Sequence, residues 1–172
     1  MNYLDALNNG SKLLRKYGIK SYILDSELLL ANILKIPREI LLINLDKKIE
    51  KKKNFKYKKF IQRRKKNEPI AYILKKKEFW NYNFFVNSNV LIPRPETEII
   101  VEEILKKTSY MSSKSILDVG TGSGCIIISV IKNRPICKGT ALDISKNALK
   151  IAKYNAKMHH LQNKIKFINI DI

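Results

Sequence analysis

Ser115-Ile-Leu-Asp-Val-Gly-Thr-Gly-Ser-Gly124 is the stretch that decides the fold. Ser115–Val119 is a short apolar run of strand length. Three of the chain's six glycines follow within Gly120–Gly124. Cys125–Lys132 is then an apolar helix, ended near Pro135. Strand, glycine turn and helix in that order open a βαβ unit. Glycines at such a turn let the backbone approach a ligand closely, and the helix N-terminus offers unpaired N–H groups. Downstream, Gly139-Thr-Ala-Leu142 reads as a second strand, closed by Asp143. Ser145 can cap the helix Lys146–His159. Lys164–Ile170 alternates through Ile165, Phe167 and, less cleanly, Asn169, and reads as a third strand. The pattern is βαβαβ.

Asp143 follows Gly122 by 21 residues. A carboxylate at the tip of the second strand can accept hydrogen bonds from both hydroxyls of a ribose. A nucleoside-containing ligand at the C-terminal edge of the sheet is therefore expected. A dinucleotide fingerprint requires GxGxxG, but here the third glycine comes one residue early and Cys125 fills the sixth place. A GxxxxGK phosphate loop is absent. Asp118 adds negative charge two residues before the first glycine, which disfavours a pyrophosphate and suits a cationic or zwitterionic ligand. S-adenosylmethionine carries a sulfonium, an ammonium and a ribose, and fits all three features. A bare glycine turn is the alternative, opposed by the register of strand, helix, Asp118 and Asp143.

Upstream of this unit the chain reads as helices. Leu4, Leu7, Leu14 and Tyr17 recur at helical spacing, with Gly18 as the stop. Tyr22–Leu34 is a second helix. Pro37 suits the first position of a third, Arg38–Leu45. Phe55, Phe60 and Ile61 interrupt a lysine run and can seat a fourth. Ile70-Ala-Tyr-Ile-Leu74 and Asn83-Phe-Phe-Val86 are β-branched and aromatic, and predict a β-hairpin with Asn81 at a turn. Pro93 and Pro95 enforce an extended stretch before a helix over Thr97–Lys107. The expected organisation is a helical domain over 1–68, a hairpin linker over 69–98 and a partial ligand-binding domain over 99–172. The fold class is α/β: a helical bundle, then the first βαβαβ half of a Rossmann-like sheet.

Composition narrows the classes further. The 172 residues are 45% hydrophobic and 28% charged, the balance of a folded soluble chain. No run approaches the ~20 apolar residues that span a bilayer. The N-terminus shows no signal peptide. Cys125 and Cys137 form no CxxC pair, and with two His they make no zinc site. A cytoplasmic protein without membrane contact is expected. The net charge is +19, yet 28 of the 34 basic residues are lysine. Lys, Ile and Asn together make 70 residues, a bias that A+T-rich codons produce. Lys47–Lys66 holds 12 basic residues and one acid, Glu50. This run is either a solvated helix face or a contact for RNA or a ribosome-like assembly.

Leu117-Asp-Val-Gly-Thr-Gly-Ser-Gly124 resembles motif I of class I S-adenosylmethionine-dependent methyltransferases. Arg63-Arg64, Glu68-Pro-Ile-Ala-Tyr-Ile-Leu74, Glu78-Phe-Trp80 and Val90-Leu-Ile-Pro-Arg-Pro-Glu-Thr-Glu98 resemble a narrower family. These are the bacterial N5-glutamine methyltransferases of peptide chain release factors. Asp25-Ser-Glu-Leu-Leu-Leu-Ala31 is similar to that family's second helix. The resemblance implies that Gly120, Thr121, Gly122, Ser123 and Gly124 line the methionine end of the cofactor. It implies that Asp143 holds the ribose, that Asp171 and Ile172 lie on the adenine side, and that the helical domain helps recognise a release factor.

Lys75 and Asn81 stand where the family usually has glycine, which puts the hairpin turns in question. The family's Asn-Pro-Pro-Tyr segment, which binds the glutamine amide, has no counterpart, since the chain contains no Asn-Pro dipeptide. The resemblance therefore assigns no catalytic residue here, and an inactive truncated chain is expected. Ser115–Val119 also reads as covered on both faces and lacks edge lysines, so a fragment or a covering partner is implied. Nucleic-acid amino-methylation and a non-catalytic cofactor-binding fragment are the alternative functions.

Overall fold

A computed structural model describes residues 1–171. The chain divides after Leu74 into two compact units.

The first unit is helical: α1 (Tyr3–Lys16), α2 (Tyr22–Leu34), α3 (Arg38–Leu42), α4 (Lys51–Lys65) and α5 (Ile70–Leu74). Asn2 and Asp5 close a reciprocal capping box on α1, and Gly18 follows its end at φ +74°. α3 is shorter than expected, with Pro37 as its cap. Leu14, Leu29, Leu30, Leu41, Tyr57, Ile61 and Ile73 form the core. Gly10 lets α1 meet α4, because a Cβ there would overlap the Tyr57 hydroxyl. That hydroxyl lies 2.6 Å from Ser26 Oγ, which in turn donates to the Leu7 carbonyl. The two acids flanking Ser26 are paired inside the unit: Arg64 Nε donates to Asp25 at 2.6 Å and Arg38 Nε to Glu27 at 2.6 Å. Thus Asp25-Ser-Glu27 is a polar seam that fixes α2 against its neighbours.

Ile70–Leu74 is not the hairpin strand that its β-branched composition predicts. It is the helix α5, begun by Pro69, whose carbonyl accepts from Tyr72 N and Ile73 N. Burial of Ala71, and of Ile73 in the helical core, outweighs local strand propensity.

The second unit contains β1 (Lys77–Phe79), β2 (Tyr82–Phe84), a 3-10 turn over Pro95–Thr97, α6 (Glu98–Lys107), β3 (Ser115–Val119), α7 (Cys125–Asn133), β4 (Lys138–Asp143), α8 (Lys146–Met158) and β5 (Ile165–Asn169). The hairpin β1–β2 exists, one segment later than its first strand was expected. Its two-residue turn, Trp80-Asn81, has φ of +51° and +59°, the mirror-image turn that matches strand twist. Glu98 accepts from Trp80 N at 2.8 Å and steadies that turn. Lys75 also takes a positive φ, +56°. The turn geometry is therefore kept without the glycines.

The parallel sheet has the order β3-β4-β5, and its strands match the βαβαβ reading closely. Ile116, Ala141, Ile165 and Phe167 pack with Ile127, Ile128 and Ile131 of α7 on one face. Phe79 and Phe84 of the hairpin join the same core. β3 is an edge strand, its one side unpaired as its reading as a buried strand implied, and Leu117 and Val119 are 62% and 59% exposed, so among the described residues it is covered on one face only.

Candidate functional site

The C-terminal ends of the three strands and the loop after β3 make the site. Three features shape the loop. Gly120, Gly122 and Gly124 all have positive φ, between +54° and +80°. Thr121 N donates to Leu142 O at 2.9 Å, tying the loop to β4. Thr121 Oγ1 donates to Asp118 Oδ2 at 2.7 Å, tying it to β3. Burial pushes the Asp118 carboxyl above its ordinary value, against the Thr121 hydroxyl and the Ile127 amide, which favour the charged form.

Asp143 stands at the tip of β4. Its Oδ2 accepts from Gly122 N at 2.9 Å and its Oδ1 from Ser145 N at 2.8 Å. Each oxygen keeps a second lone pair for a ligand hydroxyl. Ser145 itself caps α8 by accepting from Ala148 N. Asn169 donates to the carbonyls of Asp143 and Ile144 and closes the strand ends together.

A cleft of about 150 Å³ lies here, lined by Val119, Gly120, Leu142, Asp143, Ile144, Ile170 and Asp171. Gly120 faces open space: a Cβ there would meet nothing within 4 Å. Of the residues singled out from sequence, the structure brings Gly120, Asp143 and Asp171 to the cleft. Gly122 is one hydrogen bond behind, on Asp143. Thr121 and Ser123 are buried beneath the loop, at 6% and 3% exposure. Gly124 packs inward, where a Cβ would press on Ile128 and Ala152. Ile172 lies outside the described residues. Larger hollows, of about 340 and 320 Å³, lie in the helical unit, without glycine loop or strand-end carboxylate.

The cleft fits the cofactor inferred from sequence. Apolar walls from Val119, Leu142, Ile144 and Ile170 suit an adenine, the Asp143 lone pairs suit a ribose, and the aspartates suit a cation. Burial pushes the Cys125 thiol up to about 11, which disfavours its thiolate form. Cys137 is also buried and unpaired. Among the described residues there is no metal-binding cluster and no helix long and apolar enough to cross a membrane.

Sequence reasoning missed Asn155 and the role of Glu98. Asn155, on α8, is fully buried and donates to Ser123 O at 2.8 Å. It also exchanges two hydrogen bonds with the Phe85 backbone. A polar residue in an amphipathic helix gives no sign of this by spacing alone.

Comparison with known proteins agrees with both units. Residues 5–74 match the PrmC N-terminal domain family, and residues 95–172 match the methyltransferase small domain family. The chain is 43% identical to a release factor glutamine methyltransferase of Leptospira interrogans over 89% of its length. It is 44% identical to one of Coxiella burnetii over 81%, and 37% identical to one of Clostridium acetobutylicum over its full length. It spans 54%, 50% and 60% of those relatives, so it corresponds to about half of each. The chain thus matches a PrmC N-terminal domain and a methyltransferase small domain in tandem, over the residues that carry the helical seam and the glycine cleft, and across both units it is similar to release factor glutamine methyltransferases.

Proposed function

We propose that the chain supplies the helical domain and the cofactor half-site of a cytoplasmic enzyme that methylates the glutamine side-chain amide of a peptide chain release factor. The observation that carries the reading is the joint between Gly122 N and the Asp143 carboxylate, which sets the glycine loop and the ribose acceptor in one rigid cleft. When bound, S-adenosylmethionine supplies an electrophilic methyl group on its sulfonium. The protein's part is to hold that group still. Asp143 accepts from the ribose hydroxyls, Gly120 gives backbone access, and Thr121 and Ser123 shape the loop from below. Asp171 extends the cleft on the adenine side.

Titration calorimetry with S-adenosylmethionine tests the reading. The chain should bind, and Asp143→Ala should weaken binding by about 1–3 kcal/mol, the scale of a hydrogen bond to a charged acceptor. Equal affinity in both proteins would remove Asp143 from the site.

The release factor is the assigned protein partner of the helical unit. Helix α4 is a second candidate contact, toward RNA or a ribosomal surface. Lys51, Lys52, Lys56, Lys58 and Lys59 are exposed along it, with Phe55 59% exposed among them. Phosphate contacts of that kind weaken steeply with salt, and an exposed ring can stack on a base. Filter binding of RNA oligonucleotides across salt concentrations is the measurement; no binding at low salt excludes the contact.

A further inference from the structure

Helix α8 touches two segments that are far apart in sequence, and one side chain joins them. The Asn155 side chain is fully buried. Its Oδ1 accepts from Phe85 N at 2.8 Å, and its Nδ2 donates to Phe85 O at 3.0 Å and to Ser123 O at 2.8 Å. Both its N–H donors and one lone pair of its oxygen are thus spent on the hairpin exit and the glycine loop. Tyr154 and His159 add ring contacts to the same segment, with Phe85 and Phe84 at centroid distances of 5.0 and 5.1 Å. His159 Nε2 lies 2.9 Å from Asn83 O. The hairpin turn, in turn, is held by Glu98 through Trp80 N.

From this geometry we infer that Asn155 is a positioning residue for the cofactor loop: it fixes the Ser123 carbonyl and makes the loop's shape depend on the docked hairpin. The inference rests on the reading of Gly120–Gly124 as the cofactor loop. Its physical basis is the cost of a buried, unpaired carbonyl. Without the Asn155 amide, Ser123 O has to turn toward water or another donor. That motion carries Gly122 and Gly124, whose amides are bonded to Asp143 and Thr121 O. A residue that only filled space would lower stability without reshaping the loop.

The experiment uses the full 172-residue chain and two readouts. Amide hydrogen exchange by NMR follows Thr121, Gly122 and Gly124 in wild type, in Asn155→Ala and in Ile131→Val. The last is a truncation in the α7 core that takes no part in the hydrogen bonds joining Asn155 to Phe85 and Ser123. The loop amides should exchange faster in Asn155→Ala than in Ile131→Val when both are compared at equal global stability. Equal loop protection in the two variants would overturn the inference. In wild type, the Asn155 side-chain amide protons should exchange together with the Gly122 and Gly124 amides. A side-chain amide that exchanges freely above a protected loop also overturns it, and this arm needs no variant to fold. S-adenosylmethionine titration is the second readout. Asn155→Ala should bind about tenfold or more weakly, while Ile131→Val binds as wild type. A wild-type chain that binds no S-adenosylmethionine would count against the proposed function instead, and the exchange data would still decide the role of Asn155.

Discussion

Asp118 shows how a single residue can trade stability for a site. Its carboxylate is held in a half-buried place at the end of β3, with Asp143 adding like charge nearby. Burial raises its pKa above the ordinary 3.8. The folded chain therefore binds this proton more tightly than the unfolded chain does, so stability falls as pH rises through the raised value. Asp118→Asn keeps an acceptor for the Thr121 hydroxyl and removes the charge. It should raise thermal stability at pH 7, with the gain shrinking as pH falls toward 3.8. Melting curves from pH 7 to 4 check this, and a gain that stays constant across that range would show that desolvation of the carboxylate is not the cause. Gly10 offers a second test. Gly10→Ala should destabilise the helical unit by about 1–3 kcal/mol, the usual cost of overpacking. Because the obstruction is the Tyr57 hydroxyl, Tyr57→Phe in the same chain should recover part of the loss. Additive effects in that double-mutant cycle would contradict the contact.

At the scale of elements, the parallel sheet and its helices were legible because period and punctuation agree there. Ser115–Val119, the glycine turn and the caps all point to one arrangement. The hairpin was legible only in part. Ile70–Leu74 has strand composition, but Pro69 starts a helix and the helical core takes Ile73, a tertiary effect that local propensity cannot report. Asn155 was not legible at all, since its partners lie 70 and 32 residues away. The apolar face of β3 was legible as one that favours cover, but an apolar strand does not say where the cover comes from. The positive-φ residues give the element-scale prediction. A side chain in the left-handed region costs roughly 1 kcal/mol, partly offset by the greater freedom glycine has when unfolded. Lys75→Gly should therefore stabilise the chain by about 0.5 kcal/mol, while Lys75→Ala leaves it unchanged. Denaturant midpoints distinguish the two, and an equal response to both substitutions would mean that φ is not what matters at that position.

For the whole molecule, the question is what these 172 residues can do together. An amide nitrogen is a poor nucleophile, so its methylation depends on holding it in line with the methyl group and on hydrogen bonds that shift charge onto it. Family resemblance gives that work to Asn-Pro-Pro-Tyr, and no Asn-Pro dipeptide occurs in the sequence. Three carboxylates of this unit serve as structural acceptors. Glu98 takes the Trp80 amide, Asp118 the Thr121 hydroxyl, and Asp143 the amides of Gly122 and Ser145. A polypeptide of these 172 residues should therefore bind the cofactor yet transfer no labelled methyl group to a release factor above background. The comparison is a chimera in which the same residues continue into the C-terminal half of the Leptospira interrogans relative, which should restore transfer. Turnover by the 172-residue polypeptide comparable to that of the chimera would show that the amide-orienting groups lie within this chain, and that the carboxylates assigned here to structure have been given the wrong task.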